Sequence, residues 1–172
     1  NGTARVSLRN VTATGQLAQL LNNALGVTKA RQALIYAGVL SATGGAPGGN
    51  NSTPQTFQSP LQFYSRSRMS VDDFAKIADA LTTTTNSYIE GRININTASA
   101  EVLSCLPGIS DTPDLAQTLV TYRQSNPDKL GSVAWVADAL SQNTSVLTAL
   151  QTNDCITVRS YQFSADIAAL GP

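Results

Sequence analysis

The side chains able to do chemistry are few, and their types narrow what this chain can be. Histidine, the commonest general base and metal ligand, is absent. Cys105 and Cys155 are the only thiols, too few to complete a zinc site, and fit either one disulfide in an oxidising compartment or two buried reduced residues. Proton transfer would fall to carboxylates such as Asp72, Asp73, Asp79, Asp138, Asp154 and Asp166. Each has a plainer reading. Asp72 and Asp73 suit a helix start, where a negative charge complements the dipole. Asp79 and Asp138 fall at matching places of an internal repeat, on outer helical faces. Asp154 and Asp166 accompany strand-like segments, and nothing in their spacing requires calcium, which takes several oxygen ligands. The expectation is a chain with no catalytic residues, no metal and no cofactor.

The elements that would carry these residues must come from 172 residues, enough for one compact body with a sizeable core. Eleven basic residues balance eleven acidic ones, so no net field draws the chain toward phosphate backbones or anionic lipid. The charged share, 13%, is about half the usual one, and Ser, Thr, Asn and Gln fill the surface instead. No run of about 18 apolar residues occurs and neither end reads as a signal peptide. The Asn1-Gly2 start and Gly171-Pro172 end are those expected of an excised fragment, from which an anchor could have been removed.

Alternation at Val6 and Leu8 predicts a short strand or extended lead-in. Leu17, Leu20, Leu21 and Ala24 follow helical spacing, with Thr12 or Thr14 as N-cap and Gly26 ending the helix. Ala30, Ala33, Leu34 and Ala37 repeat that spacing, so a second helix lies close behind the first. Residues 41–60 hold four Gly, three Pro and no charge, which predicts a mobile surface loop. Helical spacing resumes at Phe74, Ile77, Ala78 and Leu81, capped by Ser70 and ended by the run Thr82 to Thr85. Arg92 to Asn96 alternates again, after which Thr97 caps a helix with Val102, Leu103 and Leu106 inside. Pro107 and Gly108 break that helix. Thr112 as N-cap and Pro113 at the first helical position then open a helix carrying Leu115, Ala116, Leu119 and Val120, with Arg123 near its end. Ser132 caps a further helix with Val133, Val136, Ala137 and Leu140, and a last short one holds Val146, Leu147 and Leu150. Ile156 and Val158, then Tyr161, Phe163, Ala165 and Ile167, alternate in opposite parity, which predicts two strand pieces meeting near Arg159-Ser160. Tyr161 is read as core, while Trp135, set off its helix's apolar face, is left open between core and interface.

Self-comparison reveals a duplication. Thr12 to Leu17 matches Thr97 to Val102 in type at every position. Ala30 to Tyr36 parallels Ala116 to Tyr122, and Ile77 to Leu81 parallels Val136 to Leu140, in the same order. Each unit is thus expected to hold an extended lead-in, a helical hairpin and a third helix.

Leu106-Pro107-Gly108-Ile109 supplies the sharp turn that a helix-hairpin-helix unit needs, since Gly108 can adopt a backbone costly for residues with a Cβ. Leu103, Leu106, Ile109, Leu115 and Leu119 form the apolar seal between the two helices, and Leu25-Gly26-Val27 is the weaker counterpart in the first unit. GRININTASAEVLSCLPGIS followed by LAQTLVTYR resembles the pattern shared by competence-type DNA receptors and the K-type minor pseudopilins of bacterial type II secretion. The pseudopilin resemblance runs over most of residues 1–170, strongest from Arg92 to Leu140. It implies a mainly helical α+β fold, a duplicated helix-hairpin-helix (SAM-like) domain with short strands from a truncated pilin-like part. The units are then 1–90, 91–153 and a strand-bearing end, 154–172. It also implies a periplasmic subunit that carries out no chemistry, caps the tip of a pseudopilus, has other minor pseudopilins as partners, and reaches the inner membrane through an N-terminal helix absent from this chain. A DNA receptor is the alternative. It needs basic side chains beside the hairpin amides, whereas Glu101, Asp111 and Asp114 lie there and no Lys or Arg occurs from Ile93 to Thr121, so nucleic acid is not expected as a partner.

Overall fold

The computed structural model of the protein describes residues 4–41, 54–84 and 91–160. They form two units built to one plan. The first runs β1 (Val6–Ser7), α1 (Gln16–Leu25), α2 (Val27–Tyr36), α3 (Pro60–Ser67), α4 (Val71–Ala78) and β2 (Leu81–Thr82). The second runs β3 (Ile93–Asn94), α5 (Ala100–Ser104), α6 (Asp114–Ser125), a 3-10 turn (Pro127–Lys129), α7 (Trp135–Ala139), α8 (Thr144–Asn153) and β4 (Ile156–Thr157). The fold is mainly helical α+β, as expected.

Each unit is closed by a parallel pairing of its first and last strands. Val6 and Ser7 pair with Leu81 and Thr82, and Ile93 and Asn94 pair with Ile156 and Thr157. The flanking amides repeat one pattern: Val6 N donates to Ala80 O and Leu8 N to Thr82 O, as Ile93 N does to Cys155 O and Ile95 N to Thr157 O. Leu8 and Ile95, the residues after the strands, are both fully buried. These pairings follow one pattern in both units and change which residues correspond. Both α4 and α8 lead directly into the closing strand, so Asp79 and Asp154, each the C-cap of its helix, are the corresponding residues, rather than Asp79 and Asp138. The likeness of Ile77–Leu81 to Val136–Leu140 reflects common helix residues, and Leu81 is a strand residue rather than the end of a helix.

Several local expectations also change. α1 starts on Gly15 with no side-chain cap, so neither Thr12 nor Thr14 caps it. α5 is capped by Ser99, whose hydroxyl accepts from Val102 N, rather than by Thr97. The loop expected over 41–60 gives way at its C-terminal end. Gln55 bridges to Val11, Phe57 is buried with its ring 5.1 Å edge-on from Phe63, and Ser59 caps α3 with Pro60 at the first helical position. Residues 42–53 of that loop lie outside the described residues, as do Tyr161, Phe163, Ala165, Asp166 and Ile167 of the expected terminal strands. Ile156 and Thr157, set apart from the second unit by the sequence reading, pair with its first strand.

One apolar core runs through both units. Leu17, Ala18, Leu21, Ala30, Leu34, Phe63, Phe74 and Ile77 fill the first, and Leu103, Leu106, Ile109, Leu119, Trp135, Val136 and Leu150 the second. Polar contacts also join the two units. Arg92 lies against Asp154 and Thr83, its Nε donating to Asp154 O at 3.1 Å, and Arg159 grips Asp79 with two nitrogens at 2.7 and 3.2 Å. Gln151 of α8 adds a 2.8 Å bond to Ser65 of α3.

Candidate interaction site at the helical hairpin

α5 is five residues long, too short to persist alone, and is held by what packs on it. Its seal is as the sequence implied: Leu103, Leu106, Ile109, Leu115 and Leu119 are all buried. Val102, expected inside with them, is 44% exposed, because it follows the capped first turn on the outer side of the helix. Residues 105–113 carry the chain over to α6. Gly108 takes φ +82°, and a Cβ there would meet Val146 Cα at 3.2 Å and Ala149 Cβ at 3.3 Å. Two independent reasons thus require glycine: a left-handed backbone and the close approach of α8. Leu106 and Ile109 lock the turn from below, and Pro107 ends α5 by lacking an amide proton.

The lead-in is fixed by polar groups whose role the sequence reading missed. Asn96 Oδ1 accepts from the Trp135 indole at 3.0 Å while Asn96 Nδ2 donates to Leu130 O at 3.0 Å. Arg123, expected only to complement the α6 dipole, donates from Nη1 to Ile95 O at 2.8 Å and so ties α6 to the segment after β3. Trp135 is fully buried and stacks on Tyr122, with centroids 5.6 Å apart and planes 9° from parallel. That settles Trp135 as core. The Asn-Thr-Ala stretch and the distant Arg were visible as a pattern, but only their bonds show that they position the hairpin.

The outer rim of the hairpin is acidic. Glu101, Asp111 and Asp114 are exposed, and hydrogen bonds from the Ser99 hydroxyl and from its own backbone amide hold the Glu101 carboxyl below the usual value. Cys105 is exposed in the same turn, its thiol 3.5 Å from Glu101 O, and Cys155 is half-buried beside β4 with its thiol pushed up by burial. Both thiols are free.

The candidate carboxylates are spread over the molecule. Asp73 accepts from Lys29 at 2.7 Å and Lys76 at 3.1 Å, which hold its carboxyl at about 2. Asp79 and Asp154 serve the junction, and Asp138 receives a 3.5 Å contact from the Tyr122 hydroxyl. Among the described residues no three of His, Cys, Asp and Glu gather where they could hold a metal. Asp166 lies outside those residues. No helix among them is long and apolar enough to cross a membrane.

A family model for the helix-hairpin-helix motif matches residues 89–133, the stretch that contains β3, α5, the turn and α6. No curated protein and no solved structure matches the chain.

Proposed function

We propose that this chain is an assembly subunit, the soluble periplasmic portion of a minor pseudopilin of the K type that caps the tip of a type II secretion pseudopilus. Its work is to bind other minor pseudopilins, and in the full-length protein an N-terminal helix upstream of this chain holds it to the inner membrane. The observation that carries this reading is the state of the hairpin. Its turn is packed on α8 at Gly108 and its rim bears Glu101, Asp111 and Asp114, so it is built to hold a body together rather than to grip a polyanion. A helical head built from two such units is bulky enough to block one end of a head-to-tail stack sterically.

The test is co-purification of this chain with the other minor pseudopilins of the same secretion system, read by size-exclusion chromatography at about 10 μM of each, near a typical affinity for a specific complex. A stoichiometric complex supports the reading; separate elution overturns it. Titration of fluorescent duplex DNA at low salt addresses the DNA-receptor alternative, to which the hairpin motif would also be suited. Micromolar binding that falls steeply with salt would favour that alternative.

A further inference from the structure

Duplication puts two hairpins of one design on a single chain, and their charges are opposite. No Asp or Glu occurs before Asp72, although Arg5, Arg9, Lys29, Arg31, Arg66 and Arg68 do; from Ile93 to Thr121 the position is reversed, with carboxylates and no cation. The net charge of zero is therefore an uneven balance: residues 1–90 hold seven cations and four carboxylates, and residues 91–172 four cations and seven carboxylates. A second, apolar observation falls on the same places. Val27 on the first turn of α2 is 70% exposed and Val102 on the first turn of α5 is 44% exposed. The other large apolar residue exposed among the described residues, Tyr36, lies under the Arg68 guanidinium, 4.9 Å from its ring centroid.

Arg31 stands one helical turn beyond Val27, on the same face, and Glu101 adjoins Val102. Gly26 joins α1 to α2 at φ +82° with nothing within 4 Å of where a Cβ would be, whereas the matching turn at Gly108 is covered by α8. The first hairpin thus offers an apolar residue, a cation and an open turn.

We propose that a second copy of this chain covers it: the basic α1–α2 hairpin of one molecule, centred on Val27 and Arg31, docks on the acidic α5–α6 hairpin of another, centred on Glu101 and Val102. The contact does not depend on the pseudopilin reading. Opposite rims complement each other, the exposed valines supply an apolar centre, and two copies of zero net charge have no long-range repulsion to overcome. A polyanion fits less well. Val27 offers a phosphate nothing, Lys29 shares Asp73 with Lys76, and Arg66 and Arg68 lie over Phe57 and Tyr36. The two surfaces differ, so copies meet either reciprocally, as a twofold pair with the contact made twice, or head to tail. With one valine on each side and rim ion pairs, the contact is weak, roughly millimolar.

Sedimentation equilibrium of the full chain over a concentration series, at low and at high salt, tests this. Self-association that weakens with salt is expected. Arg31→Glu and Glu101→Arg should each weaken it about threefold at low salt, and a chain carrying both should regain it, because the swapped charges face each other again. Val27→Ser should weaken it at both salt concentrations. These positions are exposed, and unchanged thermal melts confirm that the variants fold. A chain that stays monomeric at every concentration, as it would if another part of the same chain covered Val27, overturns the proposal. So does association that the double swap fails to restore, or duplex DNA binding that Arg31→Glu abolishes.

Discussion

The two units solve the same problem with different hairpins. In the first, α1 and α2 are ten residues each and Gly26 alone separates them. In the second, α5 is five residues, and residues 105–113 make the turn before a twelve-residue α6. Both turns place a glycine at φ +82°, yet only the second is pressed against another helix. The first hairpin buries Leu17, Leu21, Ala30 and Leu34 in the core and leaves its turn open. The second has little local helix to rely on and is held by α8, the Asn96–Trp135 bond and Arg123. Glycine thus serves conformation alone in one unit, and conformation plus packing in the other.

The sharpest way to break that comparison is to substitute both glycines. Gly108→Val should cost about 4 kcal/mol, combining a left-handed backbone penalty of about 1–2 with overpacking against Val146 of about 1–3. Gly26→Ala should cost about 1–2 kcal/mol, the backbone penalty alone. Urea unfolding reads both, and equal losses would show that α8 does not press on the hairpin turn.

The corresponding aspartates give a smaller contrast. Asp154 is 20% exposed beside Arg92 at 17%, and Asp79 is 58% exposed beside Arg159 at 51%. Asp154→Asn should therefore cost about 2 kcal/mol, less than the loss from a fully buried pair, and Asp79→Asn less than about 1 kcal/mol. Comparable melting-temperature shifts in the two variants would contradict the difference in shielding.

The smallest effect concerns the first unit alone. Lys29 and then Lys76 hold the Asp73 carboxyl at about 2, below its ordinary value of 3.8. A depressed carboxylate stabilises the folded state above its unfolded value and loses that contribution as pH falls through the folded one. Asp73→Asn should flatten the acid limb of stability between about pH 4 and pH 2. A limb of unchanged slope would show that these exposed lysines are screened by solvent.

Much of the hairpin was legible because its signals are local. Leu106-Pro107-Gly108-Ile109 carries its own turn chemistry, the five apolar residues of the seal follow helical spacing, and Ser70 capped α4 as its position required. α3 was legible too, since Ser59-Pro60 is a helix start, but the glycine-rich composition before it drew the reading toward a loop. Other features had no local signal. Alternation marked β1, β3 and β4, but Leu81 of β2 read as the end of a helix, and each strand takes its partner from the far end of its unit.

The sequence by itself determined where most helices lie, that the second hairpin turns at Gly108, and that this hairpin is acid-rimmed, because periodicity, turn chemistry and charge belong to residue types and their spacing. Only the tertiary structure decided that Asp79 corresponds to Asp154, that Trp135 turns inward to Asn96, and that Val102 faces out. Those outcomes depend on which surfaces meet, and contacts between distant segments are fixed by packing rather than by neighbours in the chain.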